Sequence, residues 1–196
     1  MQQHKLENKL YVTKTIPEDA TILLVDLQQK HFDEVLDNLD TEERIRREVR
    51  LSKRLNTMAE RLRELNEEGI DVYAIVDNDG LHPKLKELST KHLPDWFLKY
   101  NPEAGDSCDP ADLYIMHPEI ISEMKGKTKV IVCGLWKELC VLSVTRLLQK
   151  EGIAVSLYTG SDLTFENAII WDEEDTDAIT LESECEELGL NIIELN

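Results

Sequence analysis

The chain is predicted to be an α/β protein of three layers: a mostly parallel sheet of about six strands with helices on both faces. Three observations predict it. Apolar runs of only four or five residues recur along the 196 residues. Between them lie stretches whose apolar residues stand three and four apart, the spacing of one helix face. Glycines close those stretches at positions 69, 152 and 189. Short continuous apolar runs are strands buried on both faces, and parallel neighbours need a helical crossover between them.

Residues 22–25 (ILLV) form the first strand, which ends at Asp26. Asp40 followed by Glu43 is a capping pair, with an acceptor at the N-cap and a carboxylate one turn later. Ile45, Val49, Leu55, Met58, Leu62 and Leu65 then mark the buried stripe of a helix. Its dense Glu and Arg content reads as a solvated face. Gly69 ends that helix, and Ile70 makes the apolar contact usual beyond such a cap. Residues 72–76 and 130–133 are the next clear strands, 139–150 a helix and 154–158 a further strand. The acidic run 172–177 opens a last helix, where the backbone dipole favours negative charge. Ala178, Leu181, Cys185 and Leu188 are its inner face, and Ile192 and Ile193 a final strand. All 196 residues are read as one domain, with 1–19 as an N-terminal extension.

Composition excludes several classes of function. The 22 basic and 40 acidic side chains leave a net charge of −18, which repels phosphate backbones and anionic membranes. No run reaches the ~18 apolar residues of a membrane span, and the first residues lack the apolar core of a signal peptide. The four cysteines at 108, 133, 140 and 185 form no CxxC pair. That usage fits a reducing cytoplasm better than a disulfide framework or a zinc ribbon. The eight glycines are never closer than eight positions, so neither GxGxxG nor a phosphate-binding loop is present.

In a parallel sheet the ligand crevice lies at the carboxyl ends of the strands. Asp26 sits at such an end, as a cap for the next helix or as an active-site carboxylate. In 130–141 (VIVCGLWKELCV) a strand reaches Gly134, turns, and places Cys140 in the first turn of the next helix. Free N–H groups and the dipole there lower a thiol's pKa. Cys133, inside the apolar strand, reads as a packing residue.

Two segments carry a resemblance. TILLVDLQQKHF at 21–32 is similar to the opening motif of the isochorismatase-like cysteine hydrolases, an apolar strand ending in Asp, then a hydrophobe, Gln and a later Phe. VIVCGLWKELCVLSVTRLLQKEGIAVSLYT at 130–159 resembles their second signature, a strand, Gly, a hydrophobe and then Cys-Val opening a helix. FLKYNPEAG at 97–105 offers the family's lysine as Lys99. The resemblance implies a Rossmann-like α/β/α fold and a triad of Asp26, Lys99 and Cys140. It implies an oxyanion and substrate-binding region at Leu135, Trp136 and Cys140, with a cis peptide between Leu135 and Trp136. It further implies a homo-oligomer, and hydrolysis of a non-peptide C–N bond of a small-molecule amide through a thioester, without a cofactor. Lys137-Glu138 stand where the family carries Thr or Ser and then Asp, and Trp136 replaces a small residue. Those differences keep a second reading open, a catalytically degenerate binding or assembly protein.

Nicotinamidases of that family hold a divalent metal through Asp-x-His-Pro and a later His. Here the segment reads Asp79-x-x-His82-Pro83 with His92 beyond, one residue longer. An Asp-Gly turn before His-Pro is equally an ordinary loop, and no metal is assigned.

Overall fold

The structure is a computed structural model. It describes residues 12–13, 15–37, 39–94, 99–100, 114–135, 140–165, 185–186 and 188–193. The sheet strands in chain order are β1 (Val12–Thr13), β2 (Ala20–Val25), β3 (Asp71–Val76), β4 (Lys91–Pro94), β7 (Lys129–Gly134), β8 (Val155–Tyr158) and β9 (Asn191–Ile193). They lie in the order β1-β9-β8-β7-β2-β3-β4, every neighbouring pair parallel. The strand beyond the six expected is the two-residue β1, which pairs with Ile192 and Ile193. A separate antiparallel ribbon joins β5 (Lys99–Tyr100) to β6 (Tyr114–Ile115).

Side chains of a strand point to alternate faces, and both faces of this sheet are apolar. Ile22, Leu24, Val72, Ala74, Ile131 and Cys133 share one core with the helices α1 (Gln29–Leu36) and α2 (Thr41–Glu67). Leu23, Val25, Tyr73, Ile75, Val130 and Val132 share the other with α3 (Pro118–Met124) and α4 (Leu142–Lys150). Three layers follow, as expected. Among the described residues, no helix is long and apolar enough to cross a membrane.

Helix α2 begins where the capping pair predicts: the Asp40 carboxylate accepts from the backbone N–H groups of Glu42 and Glu43. Its inner face differs from the expected stripe. Burial runs from Leu51 to Leu65, whereas Ile45 and Val49 are 55% and 67% exposed. The reason is length. Twenty-seven residues make a helix of about 40 Å, whereas a six-residue strand spans only about 20 Å. The first turns therefore overhang the sheet.

Two further expectations change. A triad drawn from three segments implies that the strand before Lys99 lies side by side with 22–25 and 130–133, whereas β3 separates β4 from β2. Lys99 itself belongs to the ribbon rather than the main sheet. Of the last helix, residues 185–186 and 188 are described; Cys185 is buried and Leu188 packs against the same core. Ala178 and Leu181 lie outside the described residues.

From β2 the chain passes outward to β3 and β4, then returns to lay β7, β8 and β9 on the other side. The sheet thus reverses direction between β2 and β7. Those two strands run in register over six pairs, from Ala20 with Lys129 to Val25 with Gly134. At the last pair the backbones are too close for a side chain: a Cβ on Gly134 would lie 2.1 Å from the Val25 carbonyl oxygen. Its φ of +138° also suits glycine alone. Gly134→Ala should cost about 3 kcal/mol or more, through strain and forced separation of the strands. Urea unfolding checks this, and a loss under about 1 kcal/mol would contradict the close approach.

Candidate active site

The reversal between β2 and β7 is where an open parallel sheet leaves a crevice at its carboxyl edge. Leu135 continues the ladder by one bond, its N–H donating to the Val25 carbonyl at 3.0 Å. Asp26 and Leu135 therefore leave the paired strands at the same level of the sheet. Both residues are buried, Asp26 at 3% exposure.

Asp26 has a φ of +55°, the left-handed conformation, and is alone among the described non-glycine residues in adopting it. That backbone costs about 1 kcal/mol, least for Asp and Asn. It turns the chain sharply from β2 toward α1. The N-cap of α1 is Gln28, not Asp26, so the carboxylate does not occupy the capping position open to it in the sequence.

Gln28 was visible in the sequence only as one letter of a motif. The structure makes it a polar residue of the site's floor, fully buried, with neither amide atom hydrogen-bonded among the described residues. Burying such a group unpaired costs a few kcal/mol by mutational measures. No periodicity would have singled it out.

Cys140 is half-buried and packs against the core under α4. It sits in a π-type turn with Val141, immediately before α4 begins at Leu142. The first turn of α4 holds no acidic residue, and a helix N-terminus favours an anion. The Thr145 hydroxyl donates to the Val141 carbonyl at 2.7 Å and fixes the turn's far side. Cys133 is fully buried on β7, and burial pushes its thiol pKa far above the usual range. It is inert, as its place within the strand predicts. The Lys99 side chain, all of Trp136 and the peptide joining it to Leu135 lie outside the described residues.

The loop after β3 closes the site from the side. The His82 N–H donates to the Leu27 carbonyl at 2.8 Å, tying this loop to the segment that carries Asp26 and Gln28. The His82 ring meets Phe32 edge-on at 5.3 Å, and Phe32 meets Phe165 at 5.6 Å. Its Nδ1 accepts from the Lys84 N–H at 3.2 Å. Burial, then the charge of Lys84, hold the His82 pKa below the usual imidazole range. Across the loop Lys30 pairs with Asp77. Burial works to raise the Asp77 pKa, but Lys30 and the Asp79 N–H together hold it below the usual carboxylate range. Asp79 and His92 are exposed while His82 is buried. Among the described residues no three potential ligands gather in one place.

No family model matches the chain, and neither does any curated protein. Solved structures do. An isochorismatase from Pseudomonas putida KT2440 aligns at a TM-score of 0.53 with 11% identity, over 93% of this chain and 91% of that one. The MAR1 ribonuclease from Caenorhabditis elegans aligns at 0.51 with 17% identity, over 93% and 80%. YcaC from Pseudomonas aeruginosa, solved with hexane-2,5-diol and covalent acrylamide, aligns at 0.51 with 15% identity, over 100% and 80%. At these identities the likeness establishes the fold, which is that of the isochorismatase-like proteins.

The buried imidazole makes a prediction. A His pKa lower in the folded than in the unfolded state means folding favours the neutral ring. Stability from this residue is then full above the unfolded value of ~6.5 and declines as pH falls through it. His82→Gln should lose less melting temperature than the parent between pH 7 and pH 5. Equal losses would show that His82 does not contribute to acid sensitivity.

Proposed function

We propose that the protein is a cysteine-dependent hydrolase that cleaves a non-peptide C–N bond of a small amide. The observation that carries this reading is the buried Asp26 carboxylate, level with Leu135 at the reversal of the sheet. Five residues on from Leu135, Cys140 stands in the turn that leads into α4. A carboxylate and a thiol at one strand-end crevice supply a general base and a nucleophile.

In the proposed reaction Asp26 takes the Cys140 proton, and the sulfur forms a bond to the amide carbon. Backbone N–H groups of Trp136 and Cys140 receive the oxyanion. The C–N bond breaks as Asp26 returns the proton to the leaving nitrogen, which departs as an amine or ammonia. Asp26 then deprotonates a water molecule that attacks the thioester; the C–S bond breaks, the carboxylic acid leaves, and Asp26 returns the proton to the Cys140 sulfur. Lys99 balances the charge of the thiolate and carboxylate. The unspent amide of Gln28, two residues from Asp26, supports a polar substrate with both donors and acceptors.

The fold is shared with an isochorismatase and a ribonuclease, so it does not choose the chemistry. YcaC, solved with a covalent acrylamide, supports a nucleophilic reading, since acrylamide is an electrophile of the kind thiolates attack. A vinyl ether substrate fits the thiol less well than an amide does. The homo-oligomer and the cytoplasmic location remain part of this proposal. Ile45 and Val49, exposed on the overhanging turns of α2, support the oligomer. A monomer by light scattering would remove it.

Iodoacetamide should modify Cys140 faster than Cys108, Cys133 or Cys185 between pH 6 and 8. In a panel of small amides, Cys140→Ala should abolish ammonia release while circular dichroism and melting are retained. Asp26→Asn, which tolerates the same left-handed backbone, should slow turnover by about 100-fold or more. Lys99→Ala should raise the thiol pKa. A Cys140 no more reactive than Cys108 would leave the binding or assembly reading in its place.

A further inference from the structure

A second cleft, of about 550 Å³, opens at the opposite edge of the sheet from Asp26. Lys129, Ser156 and Asn191 line it near the starts of β7, β8 and β9, beside Pro17 and Asp19 that precede β2, and with Ile193. The register explains why they converge. Ile131 pairs with Ser156 and Ser156 with Asn191, and Lys129 and Ile193 each lie two residues along a strand from members of that row. All four strand side chains therefore share one face. It is the face that α1 and α2 cover at β2 and β3.

One charged group of this cleft, Lys129, differs from its like elsewhere among the described residues. Four lysines are half-buried among the described residues. Three have partners: Lys30 has Asp77, Lys91 has Glu123, and Lys127 has Asp71 and Tyr73. Lys129 has neither an ion pair nor a hydrogen bond among the described residues, and burial holds its ammonium pKa below the usual lysine range. Ser156, only 2% exposed, lines the cleft beside it. A part-buried cation without an opposite charge is unfavourable. Asp19, exposed beside Lys129 in the same cleft, forms no ion pair with it.

We propose that this cleft binds a small organic acid, with its carboxylate on Lys129 and Ser156 and its apolar part against Pro17 and Ile193. The volume suits a small ligand, and ammonium, hydroxyl and the Asn191 amide together offer charge-assisted donors to one carboxylate. Asp19 on the rim favours a singly charged acid over a phosphate dianion. The site is independent of the chemistry at Cys140, since the length of β2, about 20 Å, separates the two edges.

The test is a titration of the ¹⁵N-labelled full chain with benzoate, with benzamide as the uncharged control. Benzoate should shift the amide signals of Lys129, Ser156 and Asn191 saturably, and benzamide should bind there at least about ten-fold more weakly. Lys129→Met should weaken benzoate by about ten-fold or more, Ser156→Ala should weaken it less, and Lys129→Arg should retain it. Without ligand, Lys129→Met should melt no lower than the parent, since a desolvated charge has been removed. The proposal is overturned by unchanged affinity in Lys129→Met or by equal binding of benzamide. It is also overturned by shifts confined to the Asp26 edge, by no saturable binding below about 10 mM, or by a lower melting point for Lys129→Met.

Discussion

The contact of the Gly134 backbone with the Val25 carbonyl is the constraint on which the rest of the molecule depends. It lets β2 and β7 remain paired to their last residue. The N–H of Leu135 can then bond to Val25, and the Phe165 N–H to Gly134 at 2.8 Å. With a side chain at 134 the strands would part before Asp26 and Leu135 came level. From this shared point the chain leaves β2 toward α1 on one face, and leaves β7 toward α4 on the other. Two side chains separated by over a hundred residues are thereby brought to one crevice by backbone geometry, before any contact between them is needed.

The carboxyl edge departs from the local consistency found elsewhere. The apolar side chains of the central strands alternate between the two cores, and α2 is capped by Asp40. At the edge, Asp26 adopts a left-handed backbone and the amide of Gln28 is buried without a partner among the described residues. Each feature is unfavourable by about a kcal/mol or more. Such costs gather where a structure serves a task other than its own stability. Their coincidence within a few residues weighs more than any one alone.

The parts of this arrangement that could be read in the sequence are those set by local chemistry. Continuous apolar runs gave the central strands, because a strand buried on both faces leaves no choice of residue. Asp40 and Glu43 gave the start of α2, because a cap is satisfied within one turn. Asp26 could be placed at the end of the first strand because such an end is marked by the first polar residue after the run. What failed was set at long range. Ile45 and Val49 match the helical period, yet only the length of the sheet decides that they overhang it. The position of β4 beyond β3, and the ribbon of β5 with β6, depend on which strand edge was vacant. Gln28 and Lys129 gave no signal either, since an unpaired polar group is defined by what fails to meet it.

Charge gives the two edges opposite preferences under the proposals made here. An exterior of −18 acts on ligands only within about a Debye length, ~8 Å at physiological salt, so local groups decide. At the carboxyl edge the nearest described ionisable group is the Asp26 carboxylate, buried where water screens it poorly. An uncharged amide enters beside it without electrostatic cost, whereas the acid that hydrolysis releases carries a charge of the same sign. At the amino edge the ammonium of Lys129 reverses the order, favouring the acid over the amide. Under the two proposals, the sheet favours the amide at its carboxyl edge and the acid at its amino edge.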